Sequence, residues 1–208
     1  MEQPPKAQTP EKPPRTECLQ DQRREENARK AKEAAEGLYP HEKWEILETG
    51  IYIAKSRMPR SAEQINVLEK ELRQARILAD RGSTVYLLPE SASVKRVKHP
   101  DAIVDGCIME FKTITGSIRQ VEERYKEARA KTGYVFLKID AHLARHDVTR
   151  KLSGFIGRKG YSGGVILAYF TQTGEFYQWT EAELGQKKSG SCDPAAIRGK
   201  SDIPKCPR

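Results

Sequence analysis

The sequence predicts an α/β fold, a single domain built on the order α-β-β-β-α-β around a mixed sheet, and three observations predict it. Residues 61–81 and 117–131 repeat apolar side chains at helical spacing, and the runs 84–88 and 134–139 are apolar and β-rich. Between two further apolar stretches lies Asp105-Gly106, the residue pair that a type I′ hairpin turn demands because both central residues need positive φ. With 208 residues, one domain with a proper core is the sensible count.

Residues 1–37 are expected to be a disordered, Pro-rich start (Pro4, Pro5, Pro10, Pro13, Pro14) leading into a charged helix, solvated or frayed, with almost no large apolar side chains. Residues 38–185 form the folded domain. Its first part, Leu38 to Pro59, holds Trp44, Ile46, Leu47, Ile51, Tyr52 and Ile53 and reads as a short strand pair or cap on the core. The helix over 61–81 opens on a capping box of Ser61 and Gln64, buries Ile65, Leu68, Leu72, Ala75 and Ala79, and stops at Gly82. Thr84 to Leu88 is a buried strand closed by Pro89, and the hairpin follows.

After the hairpin, Ser117–Lys131 is a helix with Ile118, Val121, Tyr125 and Ala128 inward, and Tyr134–Ile139 is a strand. A further helix over Asp147–Gly160 and a strand pair, Gly163–Phe170 and Gly174–Trp179, extend the sheet. Residues 186–208 are polar, rich in Pro and Gly, and expected to be a flexible tail. No signal peptide is expected from the N-terminal residues, and no run approaches the ~18 apolar residues of a membrane span.

The hairpin is where chemistry enters. Counting outward from the turn pairs Val104 with Cys107, Ile103 with Ile108, Ala102 with Met109, and Asp101 with Glu110, their β-carbons roughly 5 Å apart. Lys112 projects from the same face as Glu110, with His99 opposite it. Two facing carboxylates repel, so a divalent cation is the simplest compensation; oxygen ligands completed by water and phosphate describe a Mg²⁺ site. A solvated charge ladder on an exposed hairpin is the competing reading.

Pro100-Asp101 followed by Glu110-Phe111-Lys112, on adjoining strands inside this order of elements, resembles the PD-(D/E)XK nuclease superfamily, which implies a restriction-endonuclease-like core. The longer string from Glu71 through Leu87-Leu88-Pro89-Glu90 to Lys112 is similar to the C-terminal tRNase domains of contact-dependent growth inhibition toxins, over about residues 61–140. The resemblance implies that Asp101 and Glu110 hold Mg²⁺ or Mn²⁺, that Lys112 acts on water and phosphate charge, and that Glu71 adds an acid from the first core helix. Glu90 is a further candidate ligand. Many relatives carry Gln-x-x-x-Tyr on the next helix, whereas here Gln120 is followed at that spacing by Arg124, and Tyr125 comes one step late.

Lys and Arg number 37 against 29 Asp and Glu, a formal charge of +8, so polyanions should be attracted in a salt-dependent way. Lys98, His99, Arg119, Gln120 and Arg124 are the candidate nucleic-acid contacts, with Lys95, Arg96, Lys126, Arg129, Lys131 and the cations between 145 and 159 forming a basic rim. Cys18, Cys107, Cys192 and Cys206 lack zinc-site spacing, Cys107 being a buried hairpin thiol. His142 and His146 are spaced as a helical pair without a third ligand near them.

The function expected is therefore a metal-dependent nuclease acting on RNA, tRNA above all, in the cytoplasm, delivered as part of a secreted effector and neutralised by a cognate immunity protein. Three other readings stay open: a DNA endonuclease of a mobile element or phage, a metal-independent barnase-like ribonuclease, and a non-catalytic nucleic-acid-binding module.

Overall fold

The computed structural model describes residues 15–90 and 99–186, with side chains from residue 21 onward. The Pro-rich start, the tail, Lys95, Arg96, Lys98, Cys192 and Cys206, and the side chain of Cys18 lie outside the described residues. In chain order the elements are α1 (Arg15–Leu38), β1 (Trp44–Glu48), β2 (Ile51–Ala54), a 3-10 turn (Lys55–Arg57), α2 (Ala62–Ala79), β3 (Val85–Leu87), β4 (Ala102–Val104) and β5 (Cys107–Ile114). They continue with α3 (Ile118–Arg129), β6 (Tyr134–Ile139), α4 (Arg145–Lys159), β7 (Val165–Phe170), β8 (Glu175–Thr180) and α5 (Glu181–Gly185). The α-β-β-β-α-β order runs from α2 to β6. The class is α/β, and α4 with β7 and β8 extends it.

The eight strands make one mixed sheet in which spatial order follows chain order, β1 to β8. β2–β3, β5–β6 and β6–β7 are parallel, and the remaining neighbours are antiparallel. Helices α3 and α4 supply the crossovers for the two consecutive parallel pairs, as parallel strands require. No helix among the described residues is long and apolar enough to cross a membrane.

Local chemistry explains the boundaries. Ser61 caps α2 by accepting from the Gln64 amide at 3.3 Å, while the Gln64 side chain reaches the amide of Arg60 at 2.7 Å. The loop after α2 turns at Gly82, φ +88°. The hairpin turn has φ +51° at Asp105 and +88° at Gly106, and the register is the counted one: Val104 with Cys107, Ile103 with Ile108, Ala102 with Met109. Asp105 does more than turn. Its Oδ1 accepts from the Thr84 amide at 2.8 Å, tying the hairpin to the start of β3, and burial pushes its carboxyl up to about 6.

Side-chain alternation sorts the core into two faces. Ile51, Ile53, Val85, Leu87, Met109, Phe111 and Phe136 meet Leu68, Leu72, Ala75 and Leu78 of α2. On the other face α1 covers Tyr86, Leu88, Ile103 and Ile108, and α3 and α4 cover Ile114, Val135, Leu137, Ile139 and Ile166. The charged α1 is thus more than a solvated stalk, for Ala31 and Ala35 are fully buried. Two small side chains one turn apart let its backbone approach the sheet, a stripe too narrow to register as amphipathic. On β5, Glu110 and Lys112 lie between Ile108 under α1 and Ile114 under α3. The gap between those helices defines the site.

Candidate functional site

Asp101 lies one residue before β4, and the ladder of β4 with β5 carries it alongside Glu110. Its backbone carbonyl accepts from the Leu88 amide at 3.0 Å. Its Oδ2 accepts from the Phe111 amide at 2.7 Å, so the carboxylate is fixed against β5 beside Glu110. Glu110 is fully buried. The ammonium groups of Lys112 and Lys131 stand 2.9 Å and 2.6 Å from its Oε1, and among the described residues no backbone amide or hydroxyl donates to either of its oxygens. Burial pushes the Glu110 carboxyl up and the charge of Asp101 pushes it further, while Lys131 and Lys112 pull it down.

Glu71 reaches the same region from α2, past the end of β3. The Arg57 guanidinium pairs with it, and Arg57 also donates to the carbonyls of Leu88 at 3.0 Å and Asp101 at 3.3 Å. The exposed Glu90 approaches the same guanidinium nitrogen, Nη2, at 3.5 Å. Glu71 is pushed up to about 7, chiefly by burial, with Asp101 and Glu90 adding to the rise and Arg57 opposing it. Asp101 raises both Glu71 and Glu110, and Glu90 raises Glu71, so the four predicted acids are linked through Asp101. Arg57 pairs with Glu71 and Glu90, and Lys112 and Lys131 pair with Glu110.

Whether these residues suit a divalent ion can be asked of the donors themselves. Among the described residues no group of three or more acid, histidine or cysteine side chains is placed so that it could hold a metal ion. Mg²⁺ and Mn²⁺ do not need one: a site of one or two carboxylates completed by water and phosphate oxygens is the usual Mg²⁺ arrangement. Asp101 and Glu110 supply that pair of hard oxygen donors, they repel each other, and the oxygens of Glu110 have no fixed N–H or O–H partner. The donor set fits.

The remaining candidates are more dispersed. His99 is half-buried just before Asp101, and Arg119 is exposed on the first turn of α3. Gln120 has a local task, since its Oε1 accepts from the amides of Thr115 and Gly116 at 2.9 Å each and so closes the loop before α3. Arg124 pairs with Glu127 at 3.0 Å; Lys151 and Arg158 pair with Glu122, and Arg150 with Asp147. Such half-exposed or exposed pairs are worth little. Arg129 differs, being committed at 2.6 Å to the fully buried Glu181. His146 is exposed and lies 3.3 Å from Asp147.

Sequence reasoning missed Arg57 as a member of the site and counted Lys131 only among the rim cations. Arg57 comes from a polar, aperiodic loop, and Lys131 looks like any cation after a helix C-terminus. Only the fold brings them to the acids. No protein-family model, curated protein or solved structure matches this chain.

Proposed function

We propose that the chain is a metal-dependent nuclease that hydrolyses phosphodiester bonds, with RNA, and tRNA first, as substrate. The single observation that carries this reading is the convergence of Asp101, Glu110 and Lys112 at one end of the hairpin, two carboxylates and a lysine whose ammonium touches the buried one. Asp101 and Glu110 would hold Mg²⁺ or Mn²⁺, with Glu71 and Glu90 behind them. The ion would polarise the phosphate and lower the pKa of a bound water.

The chain's own residues do the rest. The Phe111 amide orients the Asp101 carboxylate, and the strand pairing fixes its distance from Glu110. Lys112, on the same strand, carries an ammonium that can stabilise charge growing on a phosphate oxygen. Arg57 holds Glu71 and the Leu88 and Asp101 carbonyls together, keeping the acids in place before substrate arrives. The basic groups on α3 would meet the phosphate backbone on the open side.

The preference for tRNA rests on the resemblance of the stretch from Glu71 to Lys112 to growth-inhibition toxins, and with it come action in the cytoplasm, delivery as part of a larger effector and an immunity protein. Incubating purified protein with tRNA, single-stranded DNA and duplex DNA, each with Mg²⁺ and with EDTA, tests the reading. Cleavage of tRNA that needs Mg²⁺ and disappears in Asp101→Asn and Glu110→Gln is the expected result. Cleavage that survives EDTA would refute the metal mechanism, and cleavage of duplex DNA alone would change the substrate.

A further inference from the structure

Glu110 is a buried carboxylate whose charge is met by two lysines and by no fixed hydrogen-bond donor among the described residues. Lys112 belongs to the motif. Lys131 does not, yet it stands closer, at 2.6 Å against 2.9 Å, and it arrives from a different element, just past the end of α3. Counted formally as ionised, Asp101 and Glu110 balance Lys112 and Lys131, with Glu127 a further 3.9 Å from Lys112 at the rim. A divalent cation entering between the carboxylates would leave a surplus of two positive charges in a largely buried place. Withdrawal of one ammonium halves that surplus and frees a carboxylate oxygen for the ion, and the two lysines are not equivalent.

We propose that Lys131 is an exchangeable counter-ion for Glu110, occupying the carboxylate in the ion-free protein and giving way to a divalent cation; the inference rests on the metal-site reading above. Lys112 is anchored within β5, its side chain 19% exposed and 3.9 Å from Glu127 as well, while Lys131 sits on a turn after α3 with its side chain 26% exposed. Lysine suits this task, for its ammonium is compact, strongly hydrated and carried on a flexible four-carbon stem, whereas an arginine would lock onto the carboxylate with two parallel bonds. Arg57, by contrast, is 5% exposed and held by two carbonyls as well as Glu71, so it stays.

The test titrates the EDTA-stripped protein with Mn²⁺ alone by isothermal calorimetry. Lys131→Met should bind Mn²⁺ about fivefold more tightly than the wild type, the gain expected when a competing ion pair is removed, while Lys126→Met, an exposed α3 cation used as a control for net charge, should stay within about twofold. Lys131→Arg should not bind more tightly than the wild type. Thermal melts report folding, and Lys131→Gln repeats the measurement if the methionine variant does not fold. Equal affinities for Lys131→Met and Lys126→Met would overturn the exchange while leaving the metal site standing. Absence of Mn²⁺ binding by the wild type would remove both.

Discussion

Replacing Glu71 by Gln tests the electrostatics of the site without reference to any substrate. Burial lifts its carboxyl from 4.5 to about 7 even with Arg57 beside it. At about 1.4 kcal/mol per pH unit, that displacement sets roughly 3 kcal/mol against the charged form in the folded protein. The folded state holds this proton more tightly than the unfolded chain does. The penalty is therefore absent below the unfolded value of 4.5, grows as pH rises toward 7, and is complete above it. Glutamine resembles the protonated acid and has no such dependence. Urea unfolding of wild type and Glu71→Gln should give similar stabilities near pH 5 and a difference of about 2–3 kcal/mol in favour of the variant near pH 8. Groups shared by the two proteins cancel in the difference. A difference that does not change with pH would refute the reasoning.

Arg57→Met should destabilise at both pH 5 and pH 8, because the Leu88 and Asp101 carbonyls lose a donor, and by about 1–3 kcal/mol more near pH 8, where Glu71 loses its counter-charge and must take up a proton to stay buried; chemical denaturation at the two pH values reads the contrast. Gly164→Ala should cost about 2–3 kcal/mol in a thermal melt, because its β-carbon would lie 2.5 Å from the Glu181 carboxyl carbon and 2.7 Å from the Gly133 carbonyl oxygen. Gly106→Ala should cost about 1 kcal/mol or more, since φ is +88° and the new methyl would meet Lys30 of α1 at 3.2 Å; wild-type stability there would argue against the turn.

Local chemistry carried the fold a long way. Asp105-Gly106 set the hairpin register because a two-residue turn leaves no freedom in the count, and from that count alone Asp101 came to stand beside Glu110. The helices followed from stripes such as Leu68, Leu72 and Ala75, the strands from runs such as Tyr134 to Ile139. What stayed hidden is whatever depends on distance through space. Arg57 gathers Glu71, Leu88 and Asp101 only because β2 runs parallel to β3, a pairing without a local signal. Ala31 and Ala35 reveal their packing only once Tyr86 and Leu88 lie beneath them. Glu181 is the sharpest case: a glutamate that composition assigns to the surface is fully buried, receiving Arg129, the Tyr125 hydroxyl and the Gly164 amide. Short α5, capped by Thr180 and Glu183, also escaped notice, being too brief for a period to show.

The sheet order has a kinetic consequence. Because strands sit in the sheet in the order in which they leave the chain, no strand must be inserted between two that have already paired. Every pairing closes a loop between chain neighbours, which keeps sequence separation low and favours fast assembly. The pairing of β3, β4 and β5 needs nothing from α4, β7 or β8, so it is free to form before they take part. A chain that emerges gradually, from a ribosome or through a narrow pore, can therefore build this sheet from one edge to the other as each segment becomes free.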